Sequence, residues 1–256
     1  TTPPPRLAQR GVRDADPRCN PAAAAAATSE AVAEPLAHVL FSSQDALQTF
    51  LLILASEIGD KTFFICALLA MKNSKTLIAL GTMAALGIMT VISVLIGQAF
   101  HAFPAVLKTT IPIDDYAAVA LLLYFGVTGI RDALKSEPGD ADGELEDAKE
   151  VVEENEGKKL KSGIMNTAAA AIIIETFTLV FLAEWGDKSM LATVALGAAK
   201  SPLGVVVGGI AGHLVATILA VLGGSVLGNY VSEKNARLIS GGLFILFAGL
   251  TLLGLY

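Results

Sequence analysis

From about residue 46 onward the chain is a succession of six long apolar runs, separated by short polar connections and one long acidic one. Each run offers about the 20 predominantly apolar residues that a helix needs to cross a bilayer. The runs are continuous rather than alternating, which predicts helices and argues against a barrel. The expected segments are Ala46–Met71, Thr76–Phe100, Tyr116–Leu134, Asn166–Ala199, Pro202–Gly228 and Arg237–Tyr256. The second and fifth contain no Asp, Glu, Lys or Arg. Within the fifth, Gly204, Gly208 and Gly212 stand four apart. Small residues at that spacing let helix backbones approach closely in lipid, and predict crowding against the fourth or second segment. The fold class is all-α: a polytopic membrane protein with six transmembrane helices.

Composition agrees. The chain is 54% hydrophobic with a mean hydropathy of +0.63, and 16% charged, against about 25% charged in an ordinary soluble domain. The net charge of −6 has a local origin, because Ser136–Lys161 holds ten acidic residues and four lysines and the rest of the chain sums to zero. That segment reads as a solvated spacer or a surface helix. No basic patch stands out, so nucleic acid is not an expected partner. The two cysteines, Cys19 and Cys66, form neither a disulfide framework nor a metal motif. Cys66, inside an apolar run, is expected to pack as a small hydrophobe.

The chain divides on this reading into a tail (1–43), a first three-helix unit (44–135), an acidic linker (136–163) and a second three-helix unit (164–256). The tail opens with Pro3, Pro4 and Pro5, carries Arg6, Arg10, Arg13 and Arg18, and runs into alanines 22–27. Such a composition cannot bury a core and is expected to be disordered. Its Arg-rich, small-residue character also suits an organelle transit peptide, against which Asp14, Asp16, Glu30 and Glu34 count. The connections on the linker's side of the bilayer carry ten Lys or Arg, and those on the other side, outside the tail, only Lys108 and Lys200. The positive-inside rule places the linker side in the cytosol or its equivalent, such as a plastid stroma, with both termini opposite.

The informative feature is a repeat at a constant offset of 127 residues. Thr49-Phe50 and Ser56-Glu57-Ile58-Gly59-Asp60-Lys61-Thr62 return as Thr176-Phe177 and Ala183-Glu184-Trp185-Gly186-Asp187-Lys188-Ser189. Gln48 and Glu175, nine residues before each Glu, are related side chains. Three crossings per half invert the second copy relative to the first, so the halves are expected to be inverted repeats with a site near the midplane where they meet. On a continuous helix, Asp three residues and Lys four residues after a Glu share its face. Glu57, Asp60 and Lys61 would then form one polar face, and Glu184, Asp187 and Lys188 another. Gly59 and Gly186 would permit close packing or a local break.

Charges at mid-membrane cost about 2.5–3.5 kcal/mol each on insertion scales. They are therefore expected to face one another or a water-filled cavity. Four carboxylates and two lysines sum to −2, which matches one divalent cation, and carboxylate oxygens suit Mg, Ca and Mn. No Cys or His cluster offers a softer site. Carboxylates crowded where water is scarce also bind protons that an arriving cation displaces, which would couple cation to proton movement. Lys61 and Lys188 could replace the ion's charge in the empty site or move protons of their own. Among other polar residues, His213 could relay protons or simply pack. Glu175 could be an interfacial charge or part of an ion path. Trp185 is expected between helices, and Asp114 and Asp115 at the start of the third helix.

At these two motifs the chain resembles the GDT family of cation/proton exchangers, formerly uncharacterised protein family 0016. That family is defined by two copies of Glu-x-Gly-Asp-(Lys or Arg)-(Ser or Thr), and the likeness covers about residues 44–256. The resemblance implies a six-helix exchanger of Mn2+ or Ca2+ for H+, with no cofactor and no enzymatic activity. By motif, Glu57, Asp60, Glu184 and Asp187 would be the metal ligands, and Lys61, Thr62, Lys188 and Ser189 would complete the site. Family members occur in Golgi membranes of animals and fungi and in chloroplast envelope and thylakoid membranes of plants and algae. The tail and the Lys-Ser ending of the second motif favour a chloroplast membrane, thylakoid or inner envelope, over a Golgi-type one.

Three other readings are weighed against this one. An intramembrane aspartyl protease also sets an Asp on each of two helices, but a Lys directly after each Asp and a Glu before it suit its proton-sharing dyad poorly. A non-transporting assembly factor would use the acidic linker as a docking surface. A channel would use the same site without proton countertransport.

Overall fold

In the computed structural model the described residues are 42–107, 113–135, 143–162, 168–230 and 233–253. The expected disordered, transit-like tail falls in residues 1–41, outside them, apart from its last two positions. The helices are α1 (Ser43–Glu57), α2 (Lys61–Lys72), α3 (Lys75–Leu107), α4 (Ile113–Lys135), α5 (Gly143–Ser162), α6 (Ala169–Glu184), α7 (Lys188–Ala199), α8 (Pro202–Tyr230) and α9 (Glu233–Leu252). Among the described residues the fold is all-α.

Helix α1 starts where the Ser42 hydroxyl accepts the Asp45 backbone N–H at 3.3 Å, with Asp45 in the first turn complementing the helix dipole. It stops at Glu57 because Gly59 has φ +83°, a left-handed conformation that glycine reaches without a steric penalty. The chain then restarts as α2. The same happens 127 residues later: Gly186 has φ +86°, α6 ends at Glu184 and α7 begins at Lys188. The first and fourth expected segments are therefore not single helices. The pair α6–α7 is bent by 73°.

Among the described residues, four unbroken helices, α3, α4, α8 and α9, are long and apolar enough to cross a bilayer, and α6–α7 makes a fifth if the bent pair is one span. Many large apolar side chains on these helices point outward, Leu95, Phe100, Leu182 and Leu222 among them. Water would penalise that surface and lipid would not.

Helices α3 and α8 form the centre. Helix α8 packs along α1 and α2, α3 packs along α6 and α7, and the two touch each other. Helix α4 packs most extensively on α9. One core cluster gathers Phe63, Phe64, Ile65, Ile78 and Val180 with Ala148 and Val152 of α5. The other gathers Leu52, Ile53, Leu122, Leu196, Phe244 and Phe247. The acidic linker is thus partly a surface helix with an apolar underside seated on α2.

Gly204, Gly208 and Gly212 make their close approach with α1, while the neighbouring Gly209 meets Thr90 of α3, in the second expected segment. Gly204 faces Ser42 and Asp45, Gly208 faces Ala46, and Gly212 faces Phe50 and Ile53. A Cβ on Gly208 would lie 2.1 Å from the Ala46 carbonyl oxygen. Its counterpart 127 residues earlier, Gly81, would place a Cβ 2.8 Å from the carbonyl oxygen of Ile173, itself the counterpart of Ala46. Likewise the hydroxyls of Thr49 and Thr176 donate to the carbonyls of Asp45 and Ile172, both at 2.8 Å. The repeat in the sequence is a repeat of backbone contacts.

Candidate functional site: paired helix breaks and a cleft

Both motifs lie on helix breaks, so the expected same-face arrangement of Glu, Asp and Lys does not form. Glu57 ends α1, while Asp60 caps the start of α2 and Lys61 begins it; Glu184, Asp187 and Lys188 divide in the same way between α6 and α7. At each break the Asp N–H bonds back to the Glu carbonyl, at 3.2 Å from Asp60 to Glu57 and 3.1 Å from Asp187 to Glu184. The turn holds each Glu and Asp at a fixed separation while aiming their side chains differently.

The glutamates go inward. Glu57 and Glu184 are 3% and 1% exposed, and hydroxyls tie them together. Thr62 of the first motif donates to Glu184 Oε1 across the two halves at 2.7 Å and stands 3.5 Å from Glu57 Oε2. Ser189 donates to Glu184 Oε2 at 2.8 Å. The buried His213 of α8 places Nδ1 3.7 Å from Glu57 Oε1. Buried carboxylates need such partners, since an uncompensated one is expensive.

The aspartates are half-buried. Asp60 and Asp187 line an open cleft together with Ser56, Lys188, Ser240 and the ion pair Glu144–Arg237. The Asp187 carboxylate accepts the Ser189 N–H at 3.2 Å, whereas Asp60 makes no such bond at the start of α2. The site therefore has two layers, a buried glutamate–hydroxyl layer and an aspartate layer facing the cleft. Among the described residues no three His, Cys, Asp or Glu side chains converge closely enough to hold a metal ion.

The remaining expected residues separate. Lys61 turns away from the carboxylates to Asp147 of α5, 3.8 Å distant. Gln48 is buried with no hydrogen-bond partner at either amide atom. Glu175 accepts a hydrogen bond from Asn155 of α5. Each stands nine residues before its Glu, about 13 Å along the helix at 1.5 Å per residue, so neither belongs to the cluster. Trp185 is exposed and meets Phe181 of α6 rather than packing between helices. Cys66 is buried and receives the Thr82 hydroxyl at 3.5 Å. Sequence reasoning missed Glu144, Asp147 and Arg237. Glu144 and Asp147 are two among ten acidic residues in the linker, and nothing local marks them.

The family described as "Divalent cation/proton antiporter GDT1" matches residues 45–137 and 172–256, which include both motifs and both breaks. The chain belongs to this family. It is 53% identical over 216 residues to "Protein PAM71-homolog, chloroplastic" of Arabidopsis thaliana, covering 81% of this chain and 58% of the relative. It is 55% identical over 207 residues to "Protein PAM71, chloroplastic" of the same plant, covering 79% of this chain and 55% of the relative. A GDT1-like protein of Synechocystis is 41% identical over 198 residues, 77% of this chain and 91% of its own length. The chain thus spans rather more than half the length of the chloroplastic relatives. No solved structure matches it. The family assignment gives the doubled break a context: broken helices meeting near mid-membrane are how many secondary transporters build ion sites.

Proposed function

We propose that this GDT1-family chain is a secondary transporter that exchanges a divalent cation, Mn2+ before Ca2+, for protons across a chloroplast membrane, thylakoid or inner envelope. The observation that carries this reading is the cross-half cluster in which Thr62 and Ser189 hold the buried Glu184 beside Glu57, with Asp60 and Asp187 above it at the cleft.

The donor chemistry suits hard cations. Carboxylate and hydroxyl oxygens make up the cluster, with one imidazole at its edge, and such oxygens favour Mg, Ca and Mn over zinc or copper. In our reading Glu57, Asp60, Glu184 and Asp187 ligate the ion, and Thr62 and Ser189 orient or join them. The two layers close on the cation, with the breaks at Gly59 and Gly186 as the hinges. The carboxylates release protons as the cation binds, and reopening on the other side completes the exchange. Lys188, at the cleft, answers the aspartate charge when no cation is bound, whereas Lys61 belongs to the linker contact. The 127-residue correspondence of contacts supports two three-helix units, inverted in the bilayer with six crossings if each broken pair is counted as one. The names of the relatives support the chloroplast over a Golgi-type membrane.

The test is Mn2+ uptake into proteoliposomes under an imposed pH gradient, read by a quenched internal dye. Wild-type uptake, lost in Glu184→Gln while the variant remains monodisperse in detergent, is the expected result. Equal uptake by Glu184→Gln would remove the buried layer from the mechanism. No uptake of Mn2+ or Ca2+ by folded wild type would turn the reading toward a membrane assembly factor.

A further inference from the structure

We infer that Glu144, in the first turn of the linker helix α5, is the outer selectivity residue of the cation path, where an arriving divalent ion takes it from Arg237. This rests on the exchange reading above and names a further residue for that reaction.

Three observations carry it. First, Glu144 lines the same cleft as Asp60 and Asp187, although it lies outside both family motifs and outside the apolar segments. The cleft thus carries three carboxylates against Lys188 and Arg237. A concave, low-dielectric wall with an excess of one sign concentrates counter-ions at its mouth.

Second, Glu144 is held across the cleft. Arg237 Nη2 donates to its Oε1 at 3.0 Å, and the two side chains are 29% and 21% exposed, Arg237 first. A half-buried carboxylate with a permanent cationic partner is poised but not committed, because guanidinium cannot lose its charge and only a stronger cation displaces it. A divalent ion has twice the charge of the guanidinium and a monovalent one does not, which is where selectivity enters.

Third, the position is outermost. Arg237, Ser240 and Phe244 recur on the face of α9 that lines the cleft, and the seven helical steps from first to last span about 10 Å. Arg237 lies at the start of α9, and Glu144 faces it from the acidic linker. Phe244 packs against Phe125 at the other end, with ring centroids 6.0 Å apart. Helix α5 is anchored so that it can present Glu144: Asp147 reaches Lys61, Glu156 pairs with Lys72 at 2.7 Å, and Ala148 and Val152 are buried among the α2 side chains.

The experiment is the Mn2+ concentration dependence of uptake by reconstituted wild type, Glu144→Gln, Glu144→Asp and Arg237→Gln, with thermal melts of each. Glu144→Gln is expected to raise KM about five- to tenfold with the maximal rate within about twofold, as loss of one charge-assisted interaction would. Glu144→Asp should stay near wild type, and Arg237→Gln should lower KM because the competitor is gone. Opposite signs for the two neutralisations are the signature. If both raise KM, or both leave KM alone and lower the maximal rate or the melting temperature, the pair is a structural tie and the inference falls while the exchange reading stands. Absence of uptake by folded wild type removes both.

Discussion

Thr62→Val is the sharpest test of the buried layer, because the substitution keeps shape and removes one hydroxyl. That hydroxyl donates to Glu184 Oε1 at 2.7 Å and links two residues 122 apart in sequence, on α2 and α6. Thr62 and Glu184 are 3% and 1% exposed, so no bulk water replaces the lost donor. In the cation-free protein the mechanism keeps these carboxylates protonated, and a hydrogen bond between neutral groups contributes about 0.5–1.5 kcal/mol. Ser189 still holds the other oxygen at 2.8 Å, so Glu184 is not left bare, and a loss of about 1 kcal/mol is expected. At roughly 2–4 °C per kcal/mol for a protein of this size, Tm in detergent should fall by about 2–4 °C. Thr62→Ser retains the donor and should recover most of the loss. Combining Thr62→Val with Ser189→Ala strips both hydroxyls from one carboxylate, and the pair should cost at least about 0.5 kcal/mol beyond the sum of the singles. Differential scanning fluorimetry on the purified variants supplies the numbers. A Thr62→Val protein that melts with wild type, or a Thr62→Ser protein that falls as far as Thr62→Val, refutes the bridge.

The backbone contacts give two further expectations. Gly208→Val should abolish recovery of folded protein, since even a Cβ would sit 2.1 Å from a main-chain oxygen of α1, whereas Gly87→Val, with nothing within 4 Å, should be recovered normally; size-exclusion yield separates them. Gly186→Ala meets no atom within 4 Å, so its cost is the left-handed backbone at φ +86° alone. That is about 1–2 kcal/mol, partly offset by a less flexible unfolded chain. A Tm loss of a few degrees is expected, and an unchanged Tm would argue against the break.

Much of this architecture was legible in the sequence, for definite reasons. Continuous apolar runs cannot be strands of a barrel, so the helical class followed from periodicity. The 127-residue repeat was visible as letters, and its contacts, Gly81 with Ile173 and Gly208 with Ala46, follow the same offset. The breaks were only half legible. Gly59 and Gly186 interrupt apolar runs of helical length, and a lone glycine there can equally be a packing notch; the positive φ decides it, and φ is not written in the residue. Once the helix breaks, rules based on residue spacing lose their meaning across it. That is why Lys61 leaves the carboxylates for Asp147, which lies far along the chain. The cleft was illegible for the same reason: Glu144 and Arg237 meet because α5 seats Ala148 and Val152 on α2, a tertiary consequence of an apolar underside in an otherwise acidic helix.

The central claim is exchange through the doubled motif, and coupled flux tests it most directly. Purified protein in proteoliposomes, with a manganese-quenched dye and a pH dye inside, should show Mn2+ entering as protons leave, and Asp187→Asn should lose both signals while remaining folded. Mn2+ movement with no proton signal would make the protein a channel or uniporter, and wild-type exchange in Asp187→Asn would contradict the account outright.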